Sequence, residues 1–141
     1  MGRDASRRGQ SLVEFALILP VLVILLLGLL DLGRLFYAYV GVTGAAGEGA
    51  AHGARIARDP DMDHGQLLIE VEARTIEASD GLVQIEEGTV EVAPDEITES
   101  SDSITVTLTY DFELITPLVR RIVSGGVLPL RAVAVRDIGP G

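Results

Sequence analysis

From Phe15 to Leu30 the chain runs for sixteen residues without a charge, all of them apolar apart from Pro20 and Gly28. Extended to Gly33, with Asp31 the one charge it takes in, the stretch has 19 residues, about 28 Å as an α-helix and close to the ~30 Å of bilayer hydrocarbon. A helix apolar on every side has no face to show water, so it must be buried in a protein core or in lipid. A chain of 141 residues holds too little other apolar mass to surround it. The pattern therefore predicts a single membrane span over about residues 12–33.

The flanks set the orientation. Met1 to Gly9 carries Arg3, Arg7 and Arg8 against Asp4, and basic segments stay on the cytoplasmic side of a span. The N-terminus is thus expected in the cytoplasm, the span in the cytoplasmic (inner) membrane, and everything after it outside. A cleaved secretory signal fits less well: the run is longer than a usual signal core, and Asp31, Gly33 and Arg34 intervene before any small-residue cleavage site such as Gly44-Ala45-Ala46. Beyond the span, residues 59–113 hold sixteen Asp and Glu against Arg74 as their one Lys or Arg. Such a surface repels phosphate backbones and argues against a nucleic-acid partner. The absence of cysteine removes disulfides, thiolate metal sites and cysteine nucleophiles, so an exported head must fold on packing alone.

Glu14 lies at the cytoplasmic edge of the apolar run, where a carboxylate is costly and needs a partner or a route to the headgroups. Pro20 removes a backbone hydrogen bond and is expected to loosen or kink the helix between Ala16 and Pro20. Past the span, Phe36, Tyr37 and Tyr39 with Arg34 suit an outer interfacial belt, or helix packing. Gly41, Ala45, Gly49, Gly53 and Ala57 then form a row at four-residue spacing, a ridge that lets another helix approach closely. A flexible Gly-rich linker is the other reading of Gly41 to Gly53; the strict spacing favours one long helix from Gln10 to about Arg58.

The run Arg7-Arg8-Gly9-Gln10-Ser11-Leu12-Val13-Glu14-Phe15-Ala16-Leu17-Ile18-Leu19-Pro20, then Gly33-Arg34-Leu35-Phe36-Tyr37, Gly47-Glu48-Gly49-Ala50 and Gly53-Ala54-Arg55, resembles the N-terminal region of TadE-like proteins. These are minor pilins, or pseudopilins, of the tight-adherence (Tad/Flp) branch of type IV pilus systems. The resemblance covers residues 7–58 and departs from the family in Gly47 to Arg55, an expanded form of a shorter motif. It implies that a prepilin peptidase cuts after Gly9 and leaves Gln10 as the mature N-terminus. It further implies, as partners, the membrane, that peptidase, other pilin subunits and the pilus assembly machinery. A side-chain-free Gly9 suits an extended backbone in a protease cleft, and the cut removes three Arg that hold the helix in the cytoplasm. The new α-amino group could then pair with Glu14 in an apolar bundle and set subunit register, with Pro20 loosening the helix and the Gly41 to Ala57 ridge packing against neighbours.

Pro60 ends the helix. Asp59, Asp61, Asp63 and Glu70 have the spacing of a calcium loop, but His64 stands where such a loop wants Gly, and Asp63 with Gln66 reads equally well as a capping box for the next helix. No metal and no cofactor are expected. Leu67 to Ala78 is amphipathic, with Leu68, Ile69, Val71, Ala73 and Ile76 assigned inward. Val83 and Ile85 with Val90 and Val92 suggest a hairpin about Glu86-Glu87-Gly88, and Pro94 to Asp102 is a polar loop. Ser103 to Glu113 is the clearest strand, placing Ile104, Val106, Leu108, Tyr110 and Phe112 on one face. Thr116-Pro117 opens a short helix through Val123, Gly125-Gly126 breaks it, and Leu130 to Ile138 forms a last strand.

The expected fold is α+β and pilin-like: a long N-terminal transmembrane helix, then a small head with one or two short helices and a three- to four-stranded antiparallel sheet. Its parts are a leader peptide at 1–9, the helix at 10–58 and an acidic extracytoplasmic head at 59–141. No phosphate-binding loop or Ser-His-Asp arrangement is present, and His52 and His64 are twelve residues apart. Acid pairs such as Glu86-Glu87 and Asp95-Glu96 lack the apolar surroundings a general acid or base requires. The chain reads as a structural subunit and not an enzyme; the alternative is an uncleaved single-pass anchor whose acidic head binds a protein partner or calcium.

Overall fold

The computed structural model describes residues 3–59, 61–85, 89–94 and 102–139. Its elements, in order, are helix α1 (Arg3–Ile56), helix α2 (His64–Ser79), strand β1 (Val90–Ala93), strand β2 (Ser103–Glu113), helix α3 (Pro117–Ile122), a 3-10 turn (Ser124–Gly126) and strand β3 (Val127–Asp137). The sheet is antiparallel with β2 in the centre. Long apolar helix, short helices and three-stranded sheet together make the α+β fold that the sequence pattern predicts.

Two compact units divide the chain, one built of Met1–Arg34 and Glu113–Val127, the other of Leu35–Phe112 and Leu128–Gly141. In the second unit, Ala50 and Ala54 of α1, Leu67 and Val71 of α2, and Ile104 and Val106 of β2 form one buried cluster, with Val90, Val92 and Ala134 packed against it. On the inner face of β2, Ile104, Val106, Leu108 and Phe112 are buried, but the alternation is not strict: Tyr110 is half-buried and Thr107, on the other face, is buried as well. Arg58 Nε closes the end of α1 on the carbonyl of Ile138 at 2.6 Å, and the Ile138 amide returns to the Asp102 carbonyl at 2.9 Å.

Three local expectations are corrected. Val83 and Ile85 are not a strand; the Val83 amide bonds Ser79 O at the end of α2, and its side chain lies against α1 at Gly41. The partner of β1 is β2, with Val90 opposite Leu108 and Val92 opposite Val106; the Glu86-Glu87-Gly88 turn lies outside the described residues. The buried face of α2 is Leu67, Val71, Thr75 and Ser79, whereas Ile69 is 69 % exposed and Ala73 is exposed. Two hydroxyls go inward because each is satisfied on its own helix: Thr75 Oγ1 donates to Val71 O and Ser79 Oγ to Ile76 O, both at 2.7 Å. Finally, β3 starts at Val127 and not Leu130; Pro129 is accommodated because β3 is an edge strand.

Candidate membrane anchor and assembly helix

α1 is long and apolar enough to cross a membrane, and no part of its most apolar window is buried. From Leu12 to Leu32 the large apolar side chains are exposed, with Leu27 half-buried. The helix continues through Pro20, so loss of that one backbone bond does not end it. Gly9 is exposed within α1, and nothing lies within 4 Å of where a Cβ would stand. One turn further on, Gln10 Nε2 donates to Glu14 Oε1 at 3.0 Å, both on the surface. The carboxylate at the edge of the span is therefore met by the side chain of the predicted mature N-terminal residue.

The other charge of the span, Asp31, has a role that the sequence pattern concealed. It is 4 % exposed. Its Oδ1 accepts the Ile115 amide at 3.1 Å and its Oδ2 the Thr116 amide at 2.8 Å, while Arg34 Nη1 lies 3.4 Å from Oδ1 and equally far from the Glu113 carbonyl. A carboxylate buried at the end of an apolar helix is tolerated only when paired and hydrogen-bonded, and the two amides and the Arg34 guanidinium supply that. Thr116 occupies the cap position of α3 without a side-chain capping bond; its amide is given to Asp31 instead. The one available signal was a lone charge ending the span three residues before an arginine.

In the second unit the small residues of α1 face inward. A Cβ on Gly49 would stand 3.2 Å from Thr75 Cβ and closer still to its hydroxyl; on Gly53 it would meet Ile104 Cδ1 at 2.6 Å and Val71 Cγ2 at 2.8 Å. Gly41 lies under Leu82 and Val83, Ala45 is buried and Ala57 packs on the core cluster. The ridge does receive a helix at close approach, but that helix is this chain's own α2. A second row, Ala38, Val42, Ala46, Ala50 and Ala54, is buried beside the ridge.

A family model described as TadE-like protein matches residues 9–51. Over that stretch the chain is similar to TadE-like proteins. The match opens at Gly9 and takes in Glu14, the span, Asp31 and the ridge as far as Gly49, relating the chain to proteins of the tight-adherence pilus. No curated protein and no solved structure matches it.

Beyond α1, the calcium-loop candidates do not converge. Asp59 Oδ1 accepts the Asp61 amide at 3.0 Å, Asp63 Oδ2 caps α2 through the amides of Gly65 and Gln66, and Glu70 stands 3.5 Å from His52 Nε2. Asp63 thus takes the capping role, and among the described residues no three His, Asp or Glu side chains are grouped to hold a metal ion. Arg74 bridges Glu77 at 2.9 Å and Glu48 at 3.7 Å, and the Glu77 hydrogen bond raises its pKa above the ordinary arginine value. Arg74 and Glu77, with His52, Arg55, Glu70 and Ala73, line an open cleft of about 410 Å³. Its charges alternate in sign and neutralise one another.

Proposed function

We propose that this chain is a minor pilin, or pseudopilin, of a tight-adherence pilus: a non-enzymatic structural subunit anchored in the cytoplasmic membrane by α1, with a cytoplasmic N-terminus and an extracytoplasmic acidic head. The reading rests on the TadE-like match beginning at Gly9. A prepilin peptidase removes residues 1–9 and leaves Gln10 first. Supporting this, a glycine inside a helix costs about 1 kcal/mol relative to alanine, and no packing around Gly9 requires one; a peptidase subsite does. In the processed subunit the new α-amino group pairs with Glu14 of its own or a neighbouring chain and fixes register in the assembling bundle.

N-terminal sequencing of the membrane-bound form tests the first step. A start at Gln10 is expected, and Gly9→Leu should accumulate the unprocessed chain. Retention of Met1 would remove the pilin reading in favour of an uncleaved anchor whose head binds a protein partner or calcium, and a start near Ala45 would mean secretion. For the register role, Glu14→Ala should be processed yet fail to enter the assembly; normal incorporation would sink it.

A further inference from the structure

The segment from Leu114 to Gly126 folds back beside the last turns of the span, all within the first compact unit. Between them is a cleft of about 360 Å³ lined by Ile24, Leu27, Thr116, Pro117 and Arg121. Leu27 and Ile24 precede Asp31 by four and seven residues, about 6 and 10 Å of helix, so the cleft opens at the depth of glycerol and upper acyl chain and not in bulk water. Three observations suit the segment to that depth.

Six of its backbone amides are satisfied within the chain, while the buried Thr116 hydroxyl at the cleft has no protein partner. Ile115 and Thr116 donate to Asp31, Pro117 has no N–H, Leu114 donates to Gly126 O, Arg120 to Thr116 O, Val123 to Val119 O and Gly126 to Val123 O. Irregular backbone survives beside lipid only when its polar groups are met in this way, which also explains why a carboxylate is retained at position 31. Next, Ile115, whose amide is held by Asp31, is a large apolar residue left 59 % exposed. Last, the cleft joins an apolar wall to a guanidinium. Arg120 is folded over Gly126, its side chain 2.9 Å from where a Cβ would be, leaving Arg121 to the cleft.

We propose that this cleft binds an anionic phospholipid of the leaflet on the head's side, its phosphate on the Arg121 guanidinium and an acyl chain against Ile24 and Leu27. Arginine that reaches up from an apolar level to a phosphate satisfies both ends of its side chain, and the wall is made of lipid-facing span residues that a bilayer lipid reaches laterally. The inference rests on the membrane span alone and not on pilus assembly.

The chain contains no Trp, so single substitutions report cleanly. Full-length Leu25→Trp and Ile115→Trp, both at exposed positions, are reconstituted in vesicles of phosphatidylglycerol and phosphatidylcholine with brominated acyl chains. Quenching of both is expected. Leu25→Trp quenched with Ile115→Trp unquenched would overturn the lipid seat and leave the span standing; neither quenched would overturn the span as well. In mixed-lipid nanodiscs, the wild type should retain phosphatidylglycerol over phosphatidylcholine, and Arg121→Gln should cut that preference about fivefold. An unchanged preference would overturn the phosphate assignment, and so would complete displacement of the lipid by inorganic phosphate.

Discussion

The two halves of α1 are continuous in backbone and opposite in side-chain logic. Up to Arg34 the apolar residues are large and exposed, Leu25, Leu29 and Leu30 among them; after Leu35 the buried ones are small, with Ala38, Ala45, Ala46, Ala50 and Ala54 against the single larger Val42. Hydrocarbon is a solvent that large aliphatic side chains satisfy anywhere on a helix surface, whereas a packed protein partner demands a defined gap. One helix can therefore serve two media by changing residue size and not polarity. The glycines follow the faces of the helix: Gly28 and Gly33 in the first half have open space where a Cβ would be, and in the second half Gly41, Gly49 and Gly53 stand against side chains while Gly44 and Gly47 remain open.

Substitutions that interchange the two rules test this comparison. Gly49→Val, which drives a branched side chain into Thr75, should have the largest effect, destabilising the head by about 3 kcal/mol in urea unfolding of the detergent-solubilised protein. Asp31→Ala should cost about 2 kcal/mol by leaving the Ile115 and Thr116 amides without acceptors. It should appear as faster hydrogen exchange at those two positions, with the core amides of β2 unchanged. Gly44→Ala, at an open helical position, should instead stabilise by about 1 kcal/mol, read as a rise in the urea midpoint. Leu25→Ala should shift head stability by less than about 0.5 kcal/mol; a larger shift would mean that the two halves of α1 are not energetically separate.

What the chain disclosed in its sequence follows the same division. The span needed only a count of apolar residues, and β2 only strict alternation over eleven positions. The row from Gly41 to Ala57 was visible as spacing, but spacing carries no label for the partner, and α2 of the same chain fills it. The inward face of α2 was misassigned because Thr75 and Ser79 look polar until their hydroxyls are seen bonded to their own helix. Val83 and Ile85 alternate over too few residues to distinguish a strand from a turn packed on α1. Asp31 read as the boundary of the span because its partners, Ile115 and Thr116, are 84 and 85 residues away, and no local pattern connects them. Glu14, by contrast, has its contact four residues away in Gln10, where helix periodicity alone could have placed it.

The sheet's borders have a consequence for a protein read as a filament component. An unpaired strand edge is a template for strand addition, the route by which folded domains polymerise without control. Here one border is β1, only four residues long, and the other is β3, which carries Pro129 where a backbone donor would otherwise stand. β1 is too short to template much pairing, and Pro129 interrupts β3 near its start. Where many copies gather, as the proposed pilin role requires, growth strand by strand through these sheets is disfavoured.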